Sequence, residues 1–131
     1  SEIRFFSKGK DLGRVTGADG GYIVSGDQYI PDVAFISKLK QPEPCYEAYN
    51  PNPPDLAVEM LSPSNNDAKM RVKIANYLAA GTMIWVVDPI AKFVEIYVPG
   101  KPMKHVGIDG VLDGGEVLPG FTLPVQEIFP Q

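Results

Sequence analysis

The chain has 131 residues, 44% of them hydrophobic and 21% charged, with a formal net charge of −4. That length suits one core and that balance is near the globular average, so neither a disordered nor a fibrous chain is favoured and a single domain over residues 1–131 is expected. The acidic excess argues against holding nucleic acid by bulk electrostatics, which needs clustered Lys and Arg, and the apolar window Ile74 to Val87 is too short for a bilayer span and is broken by Gly81.

One cysteine, Cys45, and one histidine, His105, leave no disulfide framework and no four-ligand zinc site. A reducing cytoplasm is the expected setting, with no membrane partner. In chain order, "SEIRFFSKGK" reads as the end of an element rather than its start, so the expectation is an N-terminal helix cut short. "LGRVTGADGGYIV" and "DQYIPDVAFIS" carry β-branched and aromatic runs separated by Gly, Asp and Ser, which predicts two strands paired as a hairpin. "KQPEPCYEAYNPNPP" follows, and its five prolines predict a surface loop without regular structure.

A strand is expected over Asp55–Leu61, then a helix from about Asn66 to Ala80. Ser64 or Asn66 can cap that helix, Asp67 suits the positive end of its dipole, and Gly81 stops it. Met70, Ile74, Tyr77 and Leu78 recur at helical spacing and place one face on a sheet. "TMIWVVDP" and "KFVEIYV" predict two strands around a turn at Asp88 and Pro89, and the remainder reads as short strands, Gly-rich turns and a hydrophobic tie-down. The expected fold class is therefore α/β (α+β), a mixed sheet with a helix packed on it.

Glu59 stands among Leu56, Ala57, Val58, Met60 and Leu61, where an unpaired charge costs several kcal/mol. Strand alternation puts Asp55, Ala57, Glu59 and Leu61 on one face, but four residues of strand separate Asp55 from Glu59 by roughly 13 Å, too far to share a cation. A carboxylate on a neighbouring strand, roughly 5 Å away, can share one. Asp32 in "IPDVAF" is such a carboxylate. Spacing alone leaves two readings open: a metal site, or a strand whose polar face meets water beside a surface lysine at position 73.

The segments "PDVAFIS", "PDLAVEMLSPS", "KIANYLAAGTMIWVVDP", "VEIYV" and "LPGFTLPVQEIF" together resemble, in order, the Uma2 family (DUF820) of restriction-endonuclease-like proteins, a branch of the PD-(D/E)xK nuclease superfamily. The resemblance covers most of the chain from residue 31 onward. It implies a restriction-endonuclease-like core in which Asp32 and Glu59 hold a divalent metal, Mg²⁺ or Mn²⁺. The superfamily lysine normally follows the glutamate by two residues, where this chain has Leu61. The resembled family supplies that lysine from the following helix, where Lys73 stands, with Lys69 as second candidate. The superfamily's opening helix adds an acidic residue, for which only Glu2 is available, a weak match.

The implied activity is metal-dependent hydrolysis of phosphodiester bonds in nucleic acid, DNA in particular, with Asp32, Glu59 and Lys73 as catalytic residues. Two other classes compete. One is a catalytically degenerate module that binds nucleic acid or a protein partner, favoured by Leu61 and the acidic balance; the other is an oligomerisation domain, as in a homodimer built on the Pro-rich loop and strand edges. Ser62 reads as a helix-entry residue rather than a nucleophile, because no histidine lies near it to activate it.

Overall fold

The computed structural model describes residues 2–129. The opening segment forms a nine-residue helix, α1 (Glu2–Lys10). Eleven strands follow among the described residues: β1 (Gly13–Thr16), β2 (Gly21–Val24), β3 (Asp27–Tyr29), β4 (Val33–Ser37), β5 (Tyr49–Asn50), β6 (Leu56–Met60), β7 (Met83–Asp88), β8 (Phe93–Tyr97), β9 (Lys104–Val106), β10 (Val111–Gly114) and β11 (Leu118–Pro124). Helix α2 (Asp67–Ala79) lies between β6 and β7, and a 3-10 turn spans Val125–Glu127.

The main sheet has six strands in the order β1-β4-β6-β7-β8-β9. Only β6 and β7 are parallel within it, and α2 is the crossover that joins them. Alternation sorts the side chains into two cores. Phe35, Leu56, Val58, Trp85, Val87 and Val94 face α1 and the C-terminal segment, where Ile3, Phe121, Val125 and Phe129 complete the cluster. Ala34, Ala57, Ile84 and Val86 face the other way, under Met70, Ile74 and Tyr77 of α2 and beside Tyr22 and Val24 of β2. The expected mixed sheet and packed helix are present.

Helix α2 has the ends its sequence suggests. Asn66, not Ser64, is the cap: its side chain accepts a hydrogen bond from the Lys69 backbone N–H at 3.1 Å. Gly81 takes φ of +86°, a conformation costly for any residue with a Cβ, and so ends the helix.

The hairpin is more divided than the two strands expected. Its outer part pairs β1 with β4, from Gly13 opposite Ser37 to Thr16 opposite Ala34, in the main sheet. Its inner part pairs β2 with β3 in a second sheet of order β3-β2-β5. The register slips by one residue between the two, because Tyr22 lies opposite Tyr29 where the outer register would place Gln28. Pro31 lacks an N–H for the ladder and the Gly17–Gly20 turn closes on itself, so pairing breaks there. Ser25 and Gly26 close the tip with φ of +50° and +86°, the two-residue turn that matches strand twist.

The Pro-rich loop is not wholly irregular, contrary to expectation. Between its proline clusters, β5 runs parallel to β2 over two residues, with Gly21 opposite Tyr49. A Cβ at Gly21 would lie 2.7 Å from the Tyr49 ring, so only glycine permits the approach. His105 lies exposed on β9 against the ring of Phe93, 4.6 Å between centroids. Among the described residues no helix is long and apolar enough to cross a membrane.

Candidate functional site

The site lies where β4 and β6 run out of ladder. Val33 is opposite Val58, so the next pair outward in that register is Asp32 with Glu59, both on the face covered by α2. Asp32 replaces the missing backbone bond with its side chain: Oδ2 accepts from the Met60 N–H at 2.8 Å. The two carboxylates expected to share an ion are thus brought together across adjacent strands. Asp55 is occupied elsewhere, accepting from the Ser37 N–H at 2.6 Å.

Glu59 is 5% exposed. Two groups from α2 meet its Oε1: Lys73 Nζ at 3.7 Å and the Tyr77 hydroxyl, which donates at 3.4 Å. Residues 73 and 77 are one helical turn apart, so one face of α2 delivers both. Burial pushes the Glu59 carboxyl up, and Asp32 adds to that shift, while Lys73 and Tyr77 oppose it. Tyr77 is itself pushed well up by burial and by Glu59, which keeps its hydroxyl a neutral donor. The Lys73 contact is an ion pair too long for a direct hydrogen bond, so the ammonium protons remain available to another acceptor.

Lys73 also lines an open groove of about 580 Å³ with Tyr29, Asn65, Asn66, Lys69 and Met70. Lys69 is exposed on the groove wall and makes no ion pair with Glu59. Leu61 is partly buried against the core under α2. Glu2 is exposed on α1, a helix that packs on the opposite side of the sheet. Ser62 and Ser64 share a hydrogen bond at the entry to α2.

Helical spacing placed Tyr77 on the face that packs against the sheet, and neither Tyr77 nor Tyr29 was among the expected site residues. Both touch the site: Tyr77 through Glu59, and Tyr29 by presenting its ring 5.7 Å from Lys73 Nζ. The i, i+4 spacing of Lys73 and Tyr77 was a signal for the first. Nothing local marks the second, because β3 and α2 meet only on folding.

Among the described residues no group of three or more His, Cys, Asp or Glu side chains is placed to hold a metal. A magnesium-like ion nonetheless suits two carboxylates, since it keeps most of its waters and takes remaining ligands from a substrate phosphate. The Met60 N–H engages Oδ2 of Asp32, and Tyr77 and Lys73 engage Oε1 of Glu59, leaving one oxygen on each carboxylate for a hard cation. The donor set fits.

The family model described as "Putative restriction endonuclease", Uma2, matches residues 1–126. The chain belongs to the Uma2 family. The crystal structure of "a putative nuclease belonging to DUF820" from Anabaena variabilis ATCC 29413 superposes with a TM-score of 0.84 at 20% identity, over 97% of this Uma2 chain and 73% of that one. At that identity the likeness establishes a shared fold. No curated protein matches the chain.

Proposed function

We propose that this Uma2 chain carries a metal-dependent phosphodiesterase site acting on nucleic acid, DNA in particular. The observation that carries the reading is the convergence of Asp32 and Glu59, from adjacent strands, with the ammonium of Lys73 from the crossover helix. When bound, Mg²⁺ or Mn²⁺ supplies polarisation of a phosphoryl oxygen and a water of lowered pKa. Asp32 and Glu59 are the residues that would hold it. Tyr77 keeps Glu59 in one orientation by donating to Oε1. Lys73 points donors toward the charge that develops on the phosphoryl oxygens, the role that Leu61 cannot serve.

The test is cleavage of single- and double-stranded DNA and of RNA with Mg²⁺ or Mn²⁺. Lys73→Ala is expected to lower kcat by roughly 10²–10³-fold, as loss of one preorganised donor does, while Mn²⁺ binding persists because lysine is not a ligand. Lys69→Ala is expected to change neither. Equal rates in Lys73→Ala and wild type would remove Lys73 from the mechanism. Absence of cleavage of any of these substrates by wild type would favour a degenerate module that binds without cutting.

A further inference from the structure

We infer that Tyr29 is a positioning residue for Lys73, and that the β2–β3 hairpin is the device that aims the lysine at Glu59. The inference deepens the nuclease reading given above and rests on it for its kinetic consequence. Lys73 has a flexible four-carbon stem, is 28% exposed and lines an open groove, so its head group needs a lateral constraint to stay beside Glu59. The ion pair at 3.7 Å is too long to fix an ammonium by a directed bond. Tyr29 supplies the second constraint, with its ring centroid 5.7 Å from Nζ.

The ring is itself held from three sides. Its hydroxyl accepts from Asn76 Nδ2 at 2.7 Å and donates to Asp27 Oδ2 at 3.4 Å. Asn76 also donates to Asp27 Oδ2 at 2.9 Å, which ties both ends of β3 to α2. The ring lies 5.4 Å from that of Tyr77, the residue that donates to Glu59. At the hairpin tip, Ser25 Oγ donates to the Asn76 carbonyl at 2.7 Å. The hairpin is thus docked on α2 one turn past Lys73, and its aromatic side chain forms the wall against which the lysine rests. Tyr29 touches no reacting atom; it acts through Lys73.

A cation held over an aromatic face leaves a signature independent of catalysis. The ε-methylene protons of Lys73 are expected upfield of those of Lys69, an exposed lysine on the same helix, in the NMR spectrum of the wild-type protein without metal. Tyr29→Leu is expected to abolish that displacement and to lower kcat by roughly three- to thirtyfold with KM little changed, the range set by a cation–ring contact. Tyr29→Phe keeps the ring, which Tyr77 still packs, and is expected to retain the displacement and most of kcat. Tyr46→Leu, at a tyrosine 91% exposed on the Pro-rich loop, serves as the control and changes neither.

A Lys73 signal no further upfield than that of Lys69 in wild type overturns the inference, whether or not Tyr29→Leu folds. Equal losses in Tyr29→Phe and Tyr29→Leu overturn it as well, because the hydroxyl would then be the active feature. If wild type cleaves nothing, the nuclease reading falls while the displacement of the Lys73 signal still decides whether Tyr29 positions the lysine.

Discussion

Replacing Lys73 by methionine keeps the stem of the side chain and removes its charge, which isolates what the ammonium does for Glu59. Two unit charges 3.7 Å apart interact by about 4.5 kcal/mol at an effective dielectric constant of about 20. Lys73 is 28% exposed and so partly screened, and Glu59 can take up a proton once its partner is gone. Lys73→Met is therefore expected to cost about 2 kcal/mol at pH 7 without metal, measured by urea unfolding followed by circular dichroism. Glu59→Gln should be nearly neutral, because the carboxylate is held in a site that burial and Asp32 make unfavourable for its charge. In the double variant the loss should largely vanish, giving a coupling energy of about 2 kcal/mol.

The same cycle has a pH dependence of defined sign. The Glu59 carboxyl is raised in the folded state above its unfolded value, so the folded state binds the proton more readily. Its charge thus opposes folding fully above the folded-state pKa, and stability rises as pH falls through that value, with the gain complete below the unfolded value. Loss of Lys73 removes an opposing influence and lifts the carboxyl further, so the Lys73→Met deficit should shrink as pH falls from 7 to 5. A coupling below about 0.5 kcal/mol, or a deficit that does not depend on pH, would refute the ion pair as a determinant of the site.

Millimolar Mn²⁺ should raise the wild-type melting temperature, by the equivalent of about 2.7 kcal/mol at a hundredfold excess over Kd, and Asp32→Asn with Glu59→Gln should abolish the rise. An unshifted wild-type melt would count against the metal site. Asp55→Asn weakens the acceptor for the Ser37 N–H at the far end of the same strand pair and should cost about 1–2 kcal/mol in urea unfolding without altering Mn²⁺ affinity. Gly81→Ala should cost about 1 kcal/mol, read by the same method, because its φ of +86° strains any residue with a Cβ.

Local chemistry made much of this chain legible in its sequence. The bounds of α2 follow from Asn66, Asp67 and Gly81, each acting within one turn of a helix end, and its buried face from the spacing of Met70, Ile74 and Tyr77. Strand alternation likewise assigned Glu59 to the face of Ala57 and away from Val58. The pairing of Asp32 with Glu59 was only one arrangement open to two strands; tertiary structure selected it through a register that ends at Val33 opposite Val58. The choice between Lys69 and Lys73 was equally beyond local reasoning. Both lie on one helical stripe, and only the packing of α2 on the sheet puts Nζ of one beside Glu59 and leaves the other on the groove wall. The division of the hairpin, the short strand within the Pro-rich loop and the contact of Tyr29 with Lys73 share that origin. Each depends on surfaces far apart in the chain, so each is decided by packing free energy that no window of neighbouring residues contains.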